Sequence, residues 1–406
     1  MNTLIIAIIS ILILIAYVFD ITASKTRIPT VVILLAMGWF LKQILVFFDI
    51  HIPDFSSVLP ILGTIGLILI VLEGSMELEM NQSKIPILKK SFLLALVPML
   101  FLIAALAFGL KQLTPMSWNE AILWVTPLGV ISSAIAIPSA KNLDNYNREM
   151  ITYDSSFSDI FGILLFNLFV TGEPITAQTL LVFSGQLILI VIISILSTLL
   201  LSYILSKITH QVKFVPIIFS ILLIYSIAKW FHMPSLVFVL IFGIMLRNLS
   251  KLKEIKFFKN LNDRIYNIEV HRFHEVVSEG TFVIRVFFFI LFGFLLKTKE
   301  IIALDTLPYS IGITLLIFMI RWLYLKLSKQ AVNPLLFIAP RGLITILLFL
   351  SIPTSMSNDI INNSLIVQVV LLSAMMLIVG NLCIKKETQT TVSREHDNEK
   401  EISILC

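Results

Sequence analysis

Two aspartates and two serines lie at helical spacing in one long apolar stretch, ITYDSSFSDIFGILLFNLFV, at residues 151–170. Asp154, Ser155, Ser158 and Asp159 recur at i, i+1, i+4 and i+5, so they share one face of a helix. The stretch is long enough to cross a bilayer, where an ionisable side chain costs about 2.5–3.5 kcal/mol on insertion scales. An acid held at that depth predicts a functional site.

Asp159, near the middle of that stretch, can bind a proton and a cation in alternation. Burial disfavours the charged carboxylate and an approaching cation favours it again, so proton and cation compete for one site. This competition is the physical basis of antiport; a structural pairing with a basic residue is the alternative. The hydroxyl oxygens of Ser155, Ser158 and Thr126 are hard ligands that suit alkali cations, although each alone is more often a packing residue.

Asp154 lies nearer the membrane surface, and two basic residues are available to neutralise it. Arg321 is deep in a later apolar stretch, LLIFMIRWLYL, and Arg341 lies in NPLLFIAPRGLITI. An ion pair there locks helices together without transporting anything. Glu73, which ends an apolar run, is either an interfacial acid or a carboxylate that faces the ion cavity. Arg285 is expected to extend to the cytoplasmic surface.

The composition indicates a membrane protein. Of the 406 residues, 58% are hydrophobic and 14% charged, whereas a soluble domain is about one quarter charged. Two cysteines imply no disulfide framework. No zinc spacing, phosphate loop or nucleophile motif is present, so we expect neither an enzyme nor a cofactor. The net charge of +5 needs no nucleic acid to explain it, because cytoplasmic loops of membrane proteins are basic.

Thirteen apolar runs match the length of a membrane-spanning helix and predict an all-α polytopic fold. They cover residues 3–19, 28–48, 58–75, 86–110, 118–140, 150–171, 179–205, 214–231, 234–248, 278–297, 306–325, 334–352 and 364–384. Residues 249–277 are predicted as a cytoplasmic loop, and residues 385–406 as a short cytoplasmic tail that is too polar to fold.

Lysine and arginine are concentrated in one alternate set of the predicted loops. The loop between spans nine and ten carries seven of them, from Arg247 to Arg272, whereas the opposite set of loops carries few. By the positive-inside rule the basic loops are cytoplasmic. The chain is therefore predicted to lie in the cell membrane with its N-terminus outside and its C-terminus in the cytoplasm.

The fifth and twelfth spans are interrupted by proline and glycine. Span five contains TPLGVISSAIAIP and span twelve contains NPLLFIAPRGLITI. Proline removes a helical hydrogen bond, and the freed backbone groups need partners in protein, water or ions. Interrupted spans at corresponding places in two halves indicate a transporter's binding site. These two lie seven spans apart, an odd offset that makes the second copy run in the opposite direction, as an inverted repeat requires.

With these residues, the chain resembles the monovalent cation:proton antiporter superfamily, in its sodium/proton exchanger branch. The family motif Glu-Ser-x-x-Asn-Asp on helix six reads Asp154-Ser155-Ser156-Phe157-Ser158-Asp159 here. The Phe-Glu-Gly of helix three reads Leu72-Glu73-Gly74, and the Leu-Arg-Gly of the broken twelfth helix reads Pro340-Arg341-Gly342. The helix-eleven arginine matches Arg321. The resemblance extends from span one to span thirteen.

The resemblance implies a role for each of these residues. Asp159 would carry the transported ion or proton, with Ser155 and Glu73 as further ligands of the cation. Asp154 and Arg321 would form a structural ion pair between helices. A backbone carbonyl of the unwound fifth span, at Val125 or Thr126, would complete the site, and Arg341 would balance the ends of two crossing half-helices.

The family is homodimeric, and its dimer domain and core domain move against each other. Within a membrane domain of residues 1–384, the dimer domain would comprise residues 1–75 and 214–297, and the core residues 86–205 and 306–384. Three departures bear on ion selectivity: Ser158 replaces Asn, Asp154 replaces Glu, and Thr-Asp-Pro of helix five reads Val125-Thr126-Pro127.

These features predict a secondary antiporter that exchanges Na⁺, or alternatively K⁺ or Li⁺, for H⁺. One exchangeable carboxylate favours electroneutral, one-for-one exchange. The alternative within the class is a K⁺/H⁺ antiporter of the potassium-efflux type, although no nucleotide-binding tail is seen in the chain. Outside the class, a cation channel or a transport-dead sensor on the same scaffold remains open. The expected partners are lipid, a second copy of the chain, monovalent cations and protons.

Overall fold

The computed structural model describes residues 2–26, 29–49, 58–78, 82–140, 143–170, 176–207, 213–231, 233–249, 263–353, 356, 360–380 and 382. The regular secondary structure of these residues is helical. The predicted tail at 385–406 lies outside them, as does the segment 250–262.

Fifteen α-helices follow one another in the described residues, with a short 3-10 turn at Gln82–Lys84 before the fourth. They are α1 Asn2–Thr26, α2 Thr30–Phe47, α3 Val58–Glu77, α4 Ile85–Leu113, α5 Trp118–Gly129, α6 Ser133–Ser139, α7 Asn145–Phe169, α8 Ala177–Lys207, α9 Phe214–Trp230, α10 Ser235–Asn248, α11 Asp263–Leu295, α12 Thr298–Ile301, α13 Leu307–Leu327, α14 Leu343–Leu350 and α15 Asn363–Gly380.

Eight helical segments in the described part of the chain have the length and apolar character needed to cross a membrane. They are α2, α3, α4, α5 with α6, α8, α11, α13 and α15; α1, α9 and α10 contain shorter apolar helices. α7 has the length but is less apolar, because it carries Arg148, Glu149, Asp154 and Asp159. The chain is therefore a multi-pass membrane protein, and the number thirteen stays a prediction.

The main difference from the predicted spans concerns residues 249–277, which we predicted as a loop. Helix α11 begins at Asp263 and continues for 33 residues. Its first half has one apolar stripe, formed by Tyr266, Val270, Phe273 and Val277, all buried. Charged and polar residues occupy most of the other positions, so the segment is an amphipathic helix with no continuous apolar run. A search for apolar runs misses such a helix.

The helices pack in two groups. The first contains α2, α3, α10 and α11, and the second contains α4, α5, α6, α7 and α13; α14 packs on α3 of the first group and on α5 of the second. α8 packs mainly on α10 and α11, although its sequence was assigned to the core. The two groups contain mostly the helices expected for the dimer domain and the core domain. The division into these two domains stays a prediction.

Two glycines allow α2 and α11 to approach closely. A Cβ atom on Gly38 would overlap the carbonyl oxygen of Ile290, and a Cβ atom on Gly293 would overlap that of Leu35. In a membrane, where no hydrophobic effect joins helices, such contacts between small residues drive packing. The glycines are therefore structural.

We expect Gly293→Ala to destabilise the protein by about 1–3 kcal/mol, because backbone must move to admit the methyl group. Thermal unfolding of the purified protein in detergent measures the effect. Gly312→Ala is the matched control, since no atom lies within 4 Å of its added Cβ. Equal melting temperatures for the two variants would contradict the close packing of α2 and α11.

Candidate functional site

The interrupted fifth and twelfth spans meet in the structure. α5 ends at Gly129, and Val130 and Ser132 have extended backbone before α6 begins at Ser133. In the twelfth span, turns and irregular backbone precede α14, which begins only at Leu343. The Ser132 N–H donates to Pro340 O over 2.9 Å, so one break satisfies a freed backbone group of the other.

Gly342 lets the two breaks lie in contact. A Cβ atom there would lie 2.7 Å from Ser132 Oγ and 2.7 Å from Ile135 Cδ1, so both side chains would have to shift to admit it. Packing therefore favours the glycine of the motif Pro340-Arg341-Gly342. The crossing of two half-helices stays a prediction, but the breaks are neighbours.

Arg341 is buried between the breaks, and its guanidinium donates hydrogen bonds to backbone carbonyl groups. Its Nε donates to Leu128 O over 2.6 Å, and its Nη1 donates to Ala339 O over 2.9 Å. The main-chain N–H of the same residue donates to Ser373 Oγ. Leu128 is in the last turn of α5, where the helix dipole is negative and favours a cation. This location suits the predicted role of charge balance.

Asp154 and Arg321 form a buried ion pair. Arg321 Nη2 donates to Asp154 Oδ2 over 2.6 Å, and Arg321 Nε donates to Leu335 O over 2.8 Å. Asp154 is 1% exposed and Arg321 2% exposed. The pair connects α7 to α13, and the second hydrogen bond connects α13 to the irregular part of span twelve. Of the two arginines considered for Asp154, the structure brings Arg321 into contact with it.

Asp159 has a different environment from Asp154. It is 6% exposed, and the hydroxyl and backbone N–H of Ser133, at the start of α6, face its carboxylate. Its Oδ1 atom has no hydrogen-bond partner among the described residues. Among those residues, no basic side chain forms a salt bridge with it. The carboxylate is thus buried against the broken fifth span with no counter-charge.

The other predicted ligands are mostly occupied by backbone. Ser155 Oγ donates to Ile151 O over 2.9 Å, and Thr126 Oγ1 donates to Ile122 O over 2.6 Å. Thr126 and Val125 lie inside regular α5, before the break, so the unwound backbone is at Val130–Ser132 instead. Their role as ligands stays a prediction, and the break supplies other carbonyl groups closer to Ser133.

Ser158, the main departure from the family motif, has a structural contact. Its Oγ accepts a hydrogen bond from the N–H of Ile131 over 2.9 Å. Ile131 is in the middle of the break, so its N–H has lost a helical partner and would otherwise be buried and unpaired. A short hydroxyl on α7 therefore stabilises the unwound backbone. The role of Ser158 as a ligand of the ion stays a prediction.

Glu73 is paired with Arg285, which the sequence did not suggest. Arg285 Nη2 lies 3.3 Å from Glu73 Oε2, and the side chains are 14% and 20% exposed. We expected Arg285 to extend to the cytoplasmic surface, and the structure instead directs it to a carboxylate on α3. A cation that used Glu73 as a ligand would compete with the guanidinium for it.

Glu73 and Arg285 line a cavity of about 560 Å³ between α1, α3, α6 and α11. Asp20, Glu77 and Glu279 also line the cavity, so four of its five charged lining residues are acids, and we refer to it as the acidic cavity. Ser133, the residue that contacts Asp159, is part of the same wall. A cation that enters this cavity thus reaches the immediate neighbour of the buried carboxylate.

Sequence reasoning missed Ser133 and Ser156. Ser133 contacts Asp159, and Ser156 lines a small cavity together with Asp159. Ser156 is adjacent to the predicted ligand Ser155, but the motif offers no reason to select it. Ser133 lies in the break that the prolines and Gly129 signalled, although its contact with α7 depends on tertiary packing.

Comparison with known proteins gives the family. The model of the family described as sodium/hydrogen exchanger, transmembrane, matches residues 9–385. No curated protein sequence matches the chain significantly. A structure of the sodium proton antiporter MjNhaP1 from Methanocaldococcus jannaschii at pH 8 is similar with a TM-score of 0.69 and 18% identity, and covers 93% of this chain and 100% of that one.

An electron-microscopy structure of the same antiporter has a TM-score of 0.63 and 16% identity, over 97% of this chain and 98% of that one. Identities this low show a shared fold. The family match covers nearly the whole described membrane region, including both breaks, Asp154 and Asp159. The chain is a membrane transporter and belongs to the sodium/hydrogen exchanger family.

Proposed function

We propose that the protein exchanges a monovalent cation, Na⁺ foremost, for H⁺ across the cell membrane. The observation that carries this proposal is the environment of Asp159, which is buried with no counter-charge among the described residues. A carboxylate in such a place is stable only when a proton or a cation neutralises it. The two therefore bind alternately, and each crossing carries one of them.

A one-for-one, electroneutral stoichiometry follows from the pairing of the second acid. Asp154 is neutralised by Arg321 at 2.6 Å, which leaves Asp159 as the exchangeable carboxylate of α7. Exchange of one Na⁺ for one H⁺ at Asp159 moves no net charge. Electrogenic exchange would need a second carboxylate that titrates during the cycle.

The acidic cavity gives the ion a route from one side. Its lining residues come from the C-terminal ends of α1 and α3 and from α11, ends that the loop charges place in the cytoplasm. With this orientation, we infer that the structure represents an inward-open state. Movement of the group that contains α7 against the group that contains α3 and α11 would expose Asp159 to the other side, within a homodimer.

Proton movement in everted membrane vesicles tests the proposal. Addition of Na⁺ should dissipate a preformed pH gradient, saturate with cation concentration, and continue at the same rate when the membrane potential is clamped at zero. A response to K⁺ alone would instead indicate a K⁺/H⁺ antiporter. Cation current without proton movement would indicate a channel, and no response to any alkali cation would indicate a sensor.

A further inference from the structure

Ser156 has a buried hydroxyl group with no hydrogen-bond partner among the described residues. The residue is 4% exposed and lies in the middle of α7, where serine hydroxyls usually bond to the carbonyl four residues earlier. Ser155 makes that bond and Ser156 does not. An unpaired buried polar group costs free energy, and an ion or a water is a common reason for one.

Asp159 has the second unpaired oxygen at the same place. Ser156 and Asp159 are three residues apart on α7, so they lie on one face of the helix. Both line a small cavity between α3, α7 and α10, and neither Ser155 nor Ser158 lines it. The two residues that carry the unpaired atoms, Ser156 Oγ and Asp159 Oδ1, thus line the same space.

The cavity is large enough for one water molecule or one small ion. Its volume is about 20 Å³, enough for a single water-sized occupant. A Cβ atom built on Gly74 would lie 4.0 Å from both Ser156 Oγ and Ser133 Oγ. The missing side chain at Gly74 therefore leaves room beside the two hydroxyls.

We propose that Ser156 Oγ is a direct ligand of the transported cation, together with Asp159, and that it helps to set the preference among alkali cations. The proposal rests on the proposed function and differs from the family resemblance, which assigns the ligand role to Ser155. A hydroxyl and a carboxylate are hard oxygen donors that suit Na⁺ or Li⁺. The hydroxyl of Ser155 already bonds within its own helix.

The test is cation-driven proton exchange by the full-length protein in liposomes, with Na⁺ and Li⁺ titrated separately. Ser156→Ala should raise the apparent KM for Na⁺ roughly tenfold, the change expected when one interaction with a charged group is lost. It should also change the ratio of the KM values for Na⁺ and Li⁺, and leave the maximal rate within about twofold, because proton binding to Asp159 remains. Ser310→Ala, a buried serine on α13, is the matched control.

Ser156→Cys separates ligand loss from misfolding. It keeps the shape of the side chain with only a small increase in volume and replaces a hard oxygen by sulfur, so it should fold, weaken Na⁺ binding and change the ion preference. Unchanged KM values in both folded variants, or a change confined to the maximal rate, would overturn the ligand role. A raised KM in Ser155→Ala and not in Ser156→Ala would also overturn it. Loss of exchange in Asp159→Asn, measured alongside, would show that the proposed function stands even then.

Discussion

Replacement of Asp159 by Asn is expected to reduce cation-driven proton movement to the level of empty liposomes. The amide has nearly the same size and fits beside Ser133 as the carboxylate does, so the protein should fold. It is neutral at all pH values and cannot exchange a proton for a cation. The substitution therefore removes the exchange of a proton for a cation, on which antiport depends. It leaves the cavity that leads to the site unchanged.

The measurement is dissipation of a pH gradient in liposomes after addition of Na⁺, K⁺ or Li⁺. Asp144→Asn is the matched control: Asp144 is the exposed N-cap of the same helix, and Asn caps a helix as well as Asp does. The control should transport like the wild type. If Asp159→Asn retained cation-driven proton movement, another carboxylate would have to be the carrier and the mechanism proposed above would be wrong.

Loss of the buried ion pair is expected to have the largest effect on stability. Arg321→Gln leaves Asp154 buried without its counter-charge and weakens the bond to Leu335 O. The free energy of unfolding should fall by about 3–5 kcal/mol, the usual cost of an uncompensated buried charge. Thermal unfolding in detergent, with the folded fraction at each temperature determined by size-exclusion chromatography, measures this change.

Two further variants make the interpretation specific. Arg148→Gln, on the exposed part of α7, should change stability by no more than about 0.5 kcal/mol. The double variant Asp154→Asn with Arg321→Gln should recover part of the loss, because both buried charges are then absent. A single variant Arg321→Gln as stable as the wild type would show that the ion pair contributes no net stability.

The interaction of Glu73 with Arg285 adds a competitor to the transport site. Both residues line the acidic cavity, and the guanidinium lies on the carboxylate that the resemblance makes a cation ligand. Bidentate contacts make arginine a good partner for carboxylates, and one hydrogen bond of 3.3 Å joins these two side chains. A cation that binds Glu73 must displace the guanidinium from it, so the pair is a barrier to entry.

The helix-six acids and the two broken spans could be predicted from the sequence because their signals are local. A carboxylate within an apolar run can be recognised without knowing which helices pack around it. Proline and glycine likewise interrupt a helix whatever its neighbours are. The start of α11 could not be found in the same way, since its apolar stripe is divided among charged residues. The pairing of Arg285 with Glu73 was missed because it joins residues 212 positions apart.

The sequence by itself determined that the protein spans the membrane, that its functional acids lie on one helix, and that two interrupted spans accompany them. These are consequences of hydrophobicity and helical period, which act over a few residues. Tertiary structure decided what each polar group on that helix does. Packing of α7 against the break lets Ser158 accept a hydrogen bond from Ile131, packing near α13 pairs Asp154 with Arg321, and packing against α3 and α10 leaves Asp159 and Ser156 at a small cavity. Polar side chains a few residues apart on α7 have different partners because each of them contacts a different neighbouring element. No local sequence pattern contains that information.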